Sequence, residues 1–415
     1  MAEVGRWKPY TQRQGQLLPA FVEDALDPGD PVFFINDAVD SLDLMPLEQR
    51  YAMLGEHAYS PRLLLKLWLY AATQGVYSGR EIARRLRRDL AFRYLAGDGL
   101  VPDFRTVNRF RLRHRDDFAW VLRETVRLAR AAGLGQLGLV TIDGTKVRAN
   151  TSRHKAMSHG RMVAEEARLE RECAAIVARM EEVNAAEDTE HGEDDDGSGG
   201  LPAELQSRER RLATLRAVRA QLEQEKGEKL EARHQKSFAD PDAQMMRTGD
   251  GALTYAYNAQ AAVSEDGLVV ASGLTTEVRD TGQLGPMIQA VEANTGAPPG
   301  VAVADKGYLT EHNLATLRGQ GQRCLIGVGR EGQRPARWPQ GPETQRMHRL
   351  LRLPWARVRY ARRKTQAERP HAEIKCAMAF RRFMLRGVAK VRGEWDLVCA
   401  AFNLRRLRAI AVACG

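Results

Sequence analysis

The chain has 415 residues, more than one compact core usually contains, so its length predicts two or three domains. Its formal net charge of +10 favours a polyanionic partner such as nucleic acid, although a basic surface is also compatible with simple solubility. The five cysteines are scattered without a C-x-x-C pair, which argues against a zinc site or redox dithiol and favours a reducing cytoplasm. No apolar run predicts a signal peptide or a membrane span.

The N-terminal part, residues 1–130, is predicted to be a helical, basic domain that binds DNA. Pro61 at the first position of an apolar, periodic segment predicts one helix start. A second helix is predicted over residues 78–97, with Ser78 and Glu81 forming a capping box at its start.

Arginines cluster on the polar face of this second helix and on a short helix that follows the turn "GDGLVPD". Two basic helices joined by a turn resemble a helix-turn-helix, in which one helix enters a DNA groove and arginines hold phosphates. An Arg-rich solvated face on a helical bundle is the alternative interpretation. The arginines predicted to contact DNA are Arg84, Arg88, Arg109 and Arg113.

From residue 137 the pattern changes to short strands. "LGLVTID" is a β-branched run that is expected to end at Asp143, with Gly144 letting the chain turn away. "LTYAYNAQAAV" and "LVVASGL", joined by "SEDG", predict an antiparallel hairpin. "GVAVAD" and "RCLIGV" predict two further strands, so the segment is of the α/β class.

Helices are predicted between and after these strands. Asp280 stands where a capping box would start a helix, which is an adequate explanation for it, and Thr310 is expected to cap another. Residues 329–356 are rich in Pro and Gly and are expected to be irregular, with helices from roughly residue 365 onward.

An insertion over residues 156–238 separates the first strand from the hairpin. Both of its halves carry apolar residues at the spacing of a coiled-coil seam, which predicts two antiparallel helices. The acidic, Gly-rich stretch 185–202 is predicted to be a linker between them.

Two of the predicted strands end in aspartate, at Asp143 and Asp305. Carboxylates that converge at the ends of neighbouring buried strands repel each other unless protons or metal ions lie between them, and magnesium is the expected ion. A third carboxylate would complete a two-ion site, and the candidates are Glu368 and Glu373, which stand among basic residues.

Several blocks resemble the conserved motifs of DDE-type bacterial insertion-sequence transposases: "TIDGTKVRANTS", "DPDAQMMRT", "ADKGYLTEHNL" and "AERPHAEIK". The resemblance covers nearly the whole chain. It implies a ribonuclease-H-like mixed sheet, with three antiparallel strands plus parallel strands flanked by helices, over residues 131–415. The all-α N-terminal domain and the inserted helical hairpin also fit this family.

The resemblance assigns the catalytic and metal-binding roles to Asp143, Asp305 and Glu368, with Lys375 seven residues after the glutamate. The triad would bind two Mg²⁺ ions, with Mn²⁺ as the alternative metal, hydrolyse DNA at the transposon end and direct the freed 3′-hydroxyl into target DNA. The implied partners are the terminal inverted repeats, target DNA and a second copy of the chain in a dimer on DNA, at the nucleoid in the cytoplasm.

The chain departs from the family pattern before the glutamate. The superfamily places a tyrosine and an arginine at fixed offsets that here hold Ala361 and Lys364, while Tyr360 and Arg363 lie one residue earlier. The cations expected to contact DNA phosphates near the site are Lys146, Arg148, Arg363, Lys364 and Lys375.

Other interpretations stay open. Asp143 could cap the Gly144 turn, Asp305 could cap the following helix, and Glu373 is the fallback third ligand. For the whole protein the alternatives are a nuclease of the same fold without strand transfer, a non-enzymatic DNA-binding regulator, and an inactive relic of a transposase.

Overall fold

The computed structural model describes residues 21–51, 58–97, 100–191, 203–329 and 341–414. Its N-terminal part is helical, as predicted. The helices described there are α1 (Pro31–Asp40), α2 (Met45–Glu48), α3 (Pro61–Thr73), α4 (Gly79–Arg85), α5 (Leu90–Ala96), α6 (Phe104–Arg113) and α7 (Phe118–Ala131).

The single helix predicted over residues 78–97 is in fact two helices, α4 and α5. The chain breaks between them because Asp89 caps α5, accepting a hydrogen bond from the Ala91 amide at 3.0 Å. The predicted capping box is also wrong. Ser78 precedes α4 but makes no capping bond, and Glu81 pairs instead with arginines one turn further along the helix.

The strands described are short except for two. They are β1 (Val140–Arg148), β2 (Ala156–Ser158), β3 (Gln235–Ser237), β4 (Gln244–Arg247), β5 (Leu253–Val263), β6 (Val269–Thr275), β7 (Ala302–Ala304) and β8 (Cys324–Ile326). β1 lies in the centre of the main sheet, antiparallel to β5 on one side and parallel to β7 on the other. β8 extends the parallel side, and β4 and β6 both pair with β5. The sheet is therefore mixed, and the predicted hairpin of β5 and β6 is confirmed.

The remaining helices lie between and after these strands. They are α8 (His159–His191), α9 (Ala203–Lys226), α10 (Leu284–Thr295), α11 (Glu311–Gly319), α12 (Pro342–Leu350), α13 (Pro354–Cys376) and α14 (Val388–Cys414). The predicted cap of α11 is confirmed, since the Thr310 hydroxyl accepts a hydrogen bond from the Asn313 amide.

The insertion contains two long helices, as predicted, and the seam between them is apolar. Leu169 of α8 and Leu215 of α9 are buried in one cluster. The predicted linker is partly wrong, because α8 continues to His191 and residues 185–191 are helical. The rest of that linker, residues 192–202, lies outside the described residues.

The prediction that residues 329–356 are irregular is wrong for the part the structure describes. α12 and the start of α13 occupy most of it, and Pro342 and Pro354 take the first helical positions of these two helices. Proline is compatible with a helix start because the first amide has no partner within the helix. Residues 330–340 lie outside the described residues.

Helices cover both faces of the main sheet. On one face the N-terminal helices and α14 share an apolar cluster with β5, which includes Trp68, Tyr257 and Trp395. On the other face Leu284 of α10 and Leu314 of α11 share an apolar cluster with Ile142 of β1. The N-terminal helices thus bury part of the same sheet that carries Asp143. Among the described helices, none has the length and apolar character needed to cross a membrane.

Candidate active site

Asp143 and Asp305 lie side by side at the end of a parallel strand pair. β1 and β7 are in register up to Ile142 opposite Ala304, and the two aspartates are the next residues of their chains. Adjacent strands are about 4.8 Å apart, so the two carboxylates reach the same space. The structure therefore brings the two aspartates together, as expected.

The predicted turn at Gly144 is wrong. β1 continues to Arg148, and Gly144 pairs with Gln260 of β5 within the strand. A side chain at this position would collide with the Gln260 amide, and its Cβ would lie 2.7 Å from Asp280 Oδ1. The glycine is therefore required for close packing beside Asp143, and the chain does not turn there.

Burial and like charge set the electrostatics of the pair. The pKa of Asp143 is raised to about 6, mainly by burial and also by the neighbouring Asp305 carboxylate, while the Arg363 guanidinium opposes the shift. Asp305 Oδ1 accepts a hydrogen bond from the Gly307 amide at 2.7 Å, so its turn-capping role is confirmed.

Glu368 lies on α13, which packs beside β1 with Gln366 hydrogen-bonded to Thr141 at 2.8 Å. Ala367 is buried, whereas Glu368 is exposed on the next position of the helix. Glu368 is on the stretch between Arg363 and Lys375, both of which approach β1 near Asp143. The structure describes no contact between Glu368 and either aspartate.

The aspartate pair fits a hard divalent cation in part. Asp143, whose pKa is raised by burial and by the neighbouring charge, and Asp305 are carboxylates, the donor type that Mg²⁺ or Mn²⁺ prefers. Across residues 21–51, 58–97, 100–191, 203–329 and 341–414, however, no group of three His, Cys, Asp or Glu side chains is assembled to hold a metal ion. Of the predicted triad, Asp143 and Asp305 therefore lie next to each other, and Glu368 does not join them.

Two lysines flank β1 just beyond Asp143. Lys146 Nζ donates to Asp280 Oδ1 at 3.0 Å, and both side chains are about four-fifths buried. Lys375 Nζ, from α13, donates to Thr145 Oγ1 and lies 3.4 Å from the Lys146 carbonyl oxygen. Burial lowers the pKa of Lys375, and the Asp143 carboxylate is among the charges that oppose this.

Of the other predicted phosphate contacts, Arg148 is exposed and forms an ion pair with Asp250 at the turn between β4 and β5. Arg363 is half-buried and acts electrostatically on Asp143, whereas Lys364 is exposed. The arginine that stands one residue before the family's offset is therefore the one that faces the aspartate.

Tyr360 also faces the sheet. Its ring packs against an apolar cluster of β7, β8 and α13, and the Arg363 guanidinium lies 5.7 Å from the ring centroid. Tyr360 and Arg363 thus form a contiguous pair on the inner face of α13, despite their shifted spacing.

The fallback ligand Glu373 lies on another side of α13. Its Oε1 accepts from Arg405 Nε of α14 at 3.0 Å. This ion pair between helices gives Glu373 a structural role.

Asp280, which the sequence predicts to cap a helix, lies beside the candidate site. The cap is wrong, because α10 begins at Leu284 after Gln283 and has no side-chain capping bond. The carboxylate instead accepts from Asn258 at 2.6 Å and Gln260 at 2.8 Å, in addition to Lys146. A signal was present in the sequence, since Asn258 and Gln260 are polar residues in an otherwise apolar strand.

His371 is a further polar residue beside the aspartate pair, and no role was predicted for it from the sequence. It is buried on α13, and neither ring nitrogen has a hydrogen-bond partner among the described residues. The pKa of His371 is lowered to about 4, mainly by burial and also by the Lys375 charge, while the nearby Asp143 backbone opposes the shift. The imidazole is thus neutral at pH 7, beneath the strand that carries Asp143.

The N-terminal arginines predicted to contact DNA are all exposed. Arg84 pairs with Glu81 on the same helix, and Arg113 lies over the Tyr51 ring at 4.6 Å. Arg111, which lies between Arg109 and Arg113 in sequence, is buried instead.

Two family models match the chain. The model described as a transposase domain (DUF772) matches residues 20–113, and the model described as a transposase DDE domain matches residues 333–408. No curated protein and no solved structure matches the chain.

These matches, at the N-terminal helices and at the helices that follow β8, define a transposase. They bear out the resemblance noted in the sequence, since both matches support an insertion-sequence DDE transposase.

Proposed function

We propose that the protein is a DNA transposase that cleaves phosphodiester bonds at transposon ends and joins the 3′-hydroxyl to target DNA. The observation that carries this proposal is the adjacency of Asp143 and Asp305 in a chain of the transposase family. The strand order β6-β5-β1-β7-β8, antiparallel on one side and parallel on the other, supports a ribonuclease-H-like catalytic domain over residues 131–415.

In this proposal Asp143, Asp305 and Glu368 hold two Mg²⁺ ions, or Mn²⁺ in their place. When bound, such ions would activate the oxygen that attacks the phosphodiester and stabilise the oxygen that leaves. Glu368 is not assembled with the pair among the described residues, so the proposal requires α13 to bring this carboxylate in when DNA and metal bind. Its location between Arg363 and Lys375, which both approach β1, supports that role.

The chain's own cations would bind and orient the DNA. Lys146 and Lys375 present ammonium groups on the two sides of β1 beyond Asp143, where they can contact phosphate oxygens. Arg148, Arg363 and Lys364 extend this basic surface. The buried His371 limits water on its side of the half-buried Asp143.

The N-terminal part, residues 1–130, is proposed to bind the terminal inverted repeats through Arg84, Arg88, Arg109 and Arg113. Two transposon ends have to be joined, so the active form is proposed to be a dimer on DNA, at the nucleoid in the cytoplasm.

The test uses purified full-length protein and duplexes of the DNA that flanks its reading frame. Wild-type protein with Mg²⁺ is expected to nick the terminal repeat, and Asp143→Asn, Asp305→Asn and Glu368→Gln are each expected to abolish nicking. Glu292→Gln, at an exposed glutamate of α10, is the matched control and is expected to keep full activity. Normal nicking by the Asp143 and Asp305 variants would refute the site.

Precut ends separate transposition from simple cleavage. A transposase joins an end with a free 3′-hydroxyl to target DNA, whereas a nuclease of the same fold leaves it unjoined. Nicking without joining would replace the proposal with the nuclease alternative, and binding without either reaction would leave a DNA-binding regulator or an inactive relic.

A further inference from the structure

Asp280 lies between the last strand of the hairpin and α10, and three side chains converge on one of its oxygens. Oδ1 accepts from Lys146 Nζ at 3.0 Å, from Asn258 Nδ2 at 2.6 Å and from Gln260 Nε2 at 2.8 Å. Two neutral amides and one ammonium therefore satisfy a carboxylate that is about four-fifths buried.

The sheet register places these donors. Lys146 stands opposite Asn258, and Gly144 stands opposite Gln260, in the antiparallel pairing of β1 with β5. Asn258 and Gln260 are completely buried. Gln260 also accepts a hydrogen bond from the hydroxyl of Tyr308, which follows β7. The polar network thus joins three neighbouring segments of the sheet.

The Asp280 carboxylate also lies close to the backbone that follows each of the paired aspartates. A Cβ at Gly144, next to Asp143, would be 2.7 Å from Asp280 Oδ1. A Cβ at Gly307, two residues after Asp305, would be 3.3 Å from Asp280 Oδ2. Both glycines leave room for this carboxylate.

We propose that Asp280 is a positioning residue for the site: its carboxylate holds the Lys146 ammonium away from Asp143 and Asp305 and so keeps that pair open to a divalent cation. This inference rests on the proposed function. Without the Asp280 charge, the largely buried Lys146 ammonium loses the carboxylate with which it pairs. Asp305 lies next to Asp280, since a Cβ at Gly307 would be 2.9 Å from Asp305 Oδ1 and 3.3 Å from Asp280 Oδ2. A Lys146 ammonium that moved to Asp305 would compete with the cation.

A role in folding alone predicts a different outcome. Asparagine has the shape of aspartate and retains an oxygen that can accept from Lys146, so Asp280→Asn removes mainly the charge. If Asp280 acts through Lys146, replacing Asp280 should change metal affinity in the wild-type protein but not in a protein that lacks Lys146.

The experiment measures Mn²⁺ binding to the full-length protein by calorimetry, without DNA. Asp280→Asn is expected to weaken Mn²⁺ binding about tenfold, the scale of one unit charge near the site. Lys146→Gln alone is expected to bind within about threefold of wild type, and adding Asp280→Asn to it is expected to change affinity no further. Asp396→Asn, at a buried carboxylate that accepts from Ser272, is the matched control and is expected to bind as wild type.

An equal loss from Asp280→Asn in both backgrounds, or no loss in either, would overturn the proposal. If Asp280→Asn fails to fold, Asp280→Ser replaces it in the comparison of wild-type and Lys146→Gln backgrounds. If both Asp280 variants are unfolded, Asp280 has a folding role and the proposal is overturned. Asp143→Asn and Asp305→Asn report separately on the proposed function. If they keep wild-type Mn²⁺ affinity, the metal site itself fails; if they lose it while Asp280→Asn does not, the inference about Asp280 alone fails.

Discussion

The Arg111 guanidinium of α6 lies 3.4 Å from the Glu394 carboxylate of α14, and both side chains are buried. Glu394 also accepts hydrogen bonds from the Met384 and Leu385 amides, and Arg111 lies 4.4 Å from the Trp68 ring centroid. Burial lowers the pKa of Arg111 and raises that of Glu394, while each charge opposes the shift of the other. The pair joins the N-terminal helices to α14, the helix that follows the main sheet in the chain.

Glu394→Ala is expected to destabilise the protein by about 3–5 kcal/mol, because it leaves a buried guanidinium without its partner. The free energy of unfolding in urea measures this loss. Glu394→Gln, which keeps an acceptor for the two amides, is expected to cost less. Equal stability of Glu394→Ala and wild type would show that the pair does not hold the two parts together.

Gly144→Ala is expected to destabilise the fold by about 1–3 kcal/mol, because its methyl group would collide with Gln260 and Asp280. A thermal melt measures the change. Gly285→Ala is the matched control, since a Cβ at this helical glycine meets nothing within 4 Å, and it is expected to be neutral or stabilising. A Gly144→Ala protein as stable as wild type would contradict the packing described for β1.

Arg363→Ala is expected to reduce DNA nicking far more than Lys364→Ala. Arg363 is half-buried and opposes the rise in the pKa of Asp143, whereas Lys364 is exposed. Nicking rates of the two variants at saturating Mg²⁺ make the comparison. A larger loss from Lys364→Ala would show that the family's usual spacing applies and that the orientation of α13 differs when DNA is bound.

Asp396 predicts a pH-dependent change in stability. Burial raises the pKa of Asp396 from its ordinary value of 3.8 to about 6, with Ser272 and Arg392 opposing the shift. A folded-state pKa above the unfolded value means that stability falls as pH rises from about 4 to 6 and then stays level. Asp396→Asn is therefore expected to stabilise the protein by about 2–3 kcal/mol at pH 8 and to lose this advantage near pH 4.

Urea unfolding of both proteins across this pH range tests that expectation. Arg392 and the hydroxyl of Ser272 are unchanged in the variant, so the difference between the two curves isolates the carboxyl group. A constant difference between pH 4 and 8 would show that Asp396 ionises normally in the folded protein.

The hairpin of β5 and β6 and the seam of the inserted helices could be predicted from the sequence, because both patterns repeat over a few residues. The break between α4 and α5 could not, since the apolar spacing of residues 78–97 runs through it and a single cap at Asp89 outweighs it. Pro342 and Pro354 were likewise interpreted as loop residues although they begin helices.

The adjacency of Asp143 and Asp305 could be anticipated because parallel neighbouring strands end at the same edge of a sheet. The partners of these residues depended on contacts distant along the chain. Lys146 and Asp280 are 134 positions apart, and Arg111 and Glu394 are 283 apart. Local periodicity carries no information about such pairs, since they depend on strand register and helix packing. The sequence therefore shows which residue types could carry the chemistry. Which carboxylate pairs with Lys146 or Arg111 is decided only by the tertiary structure, because strand register and helix packing bring the partners together.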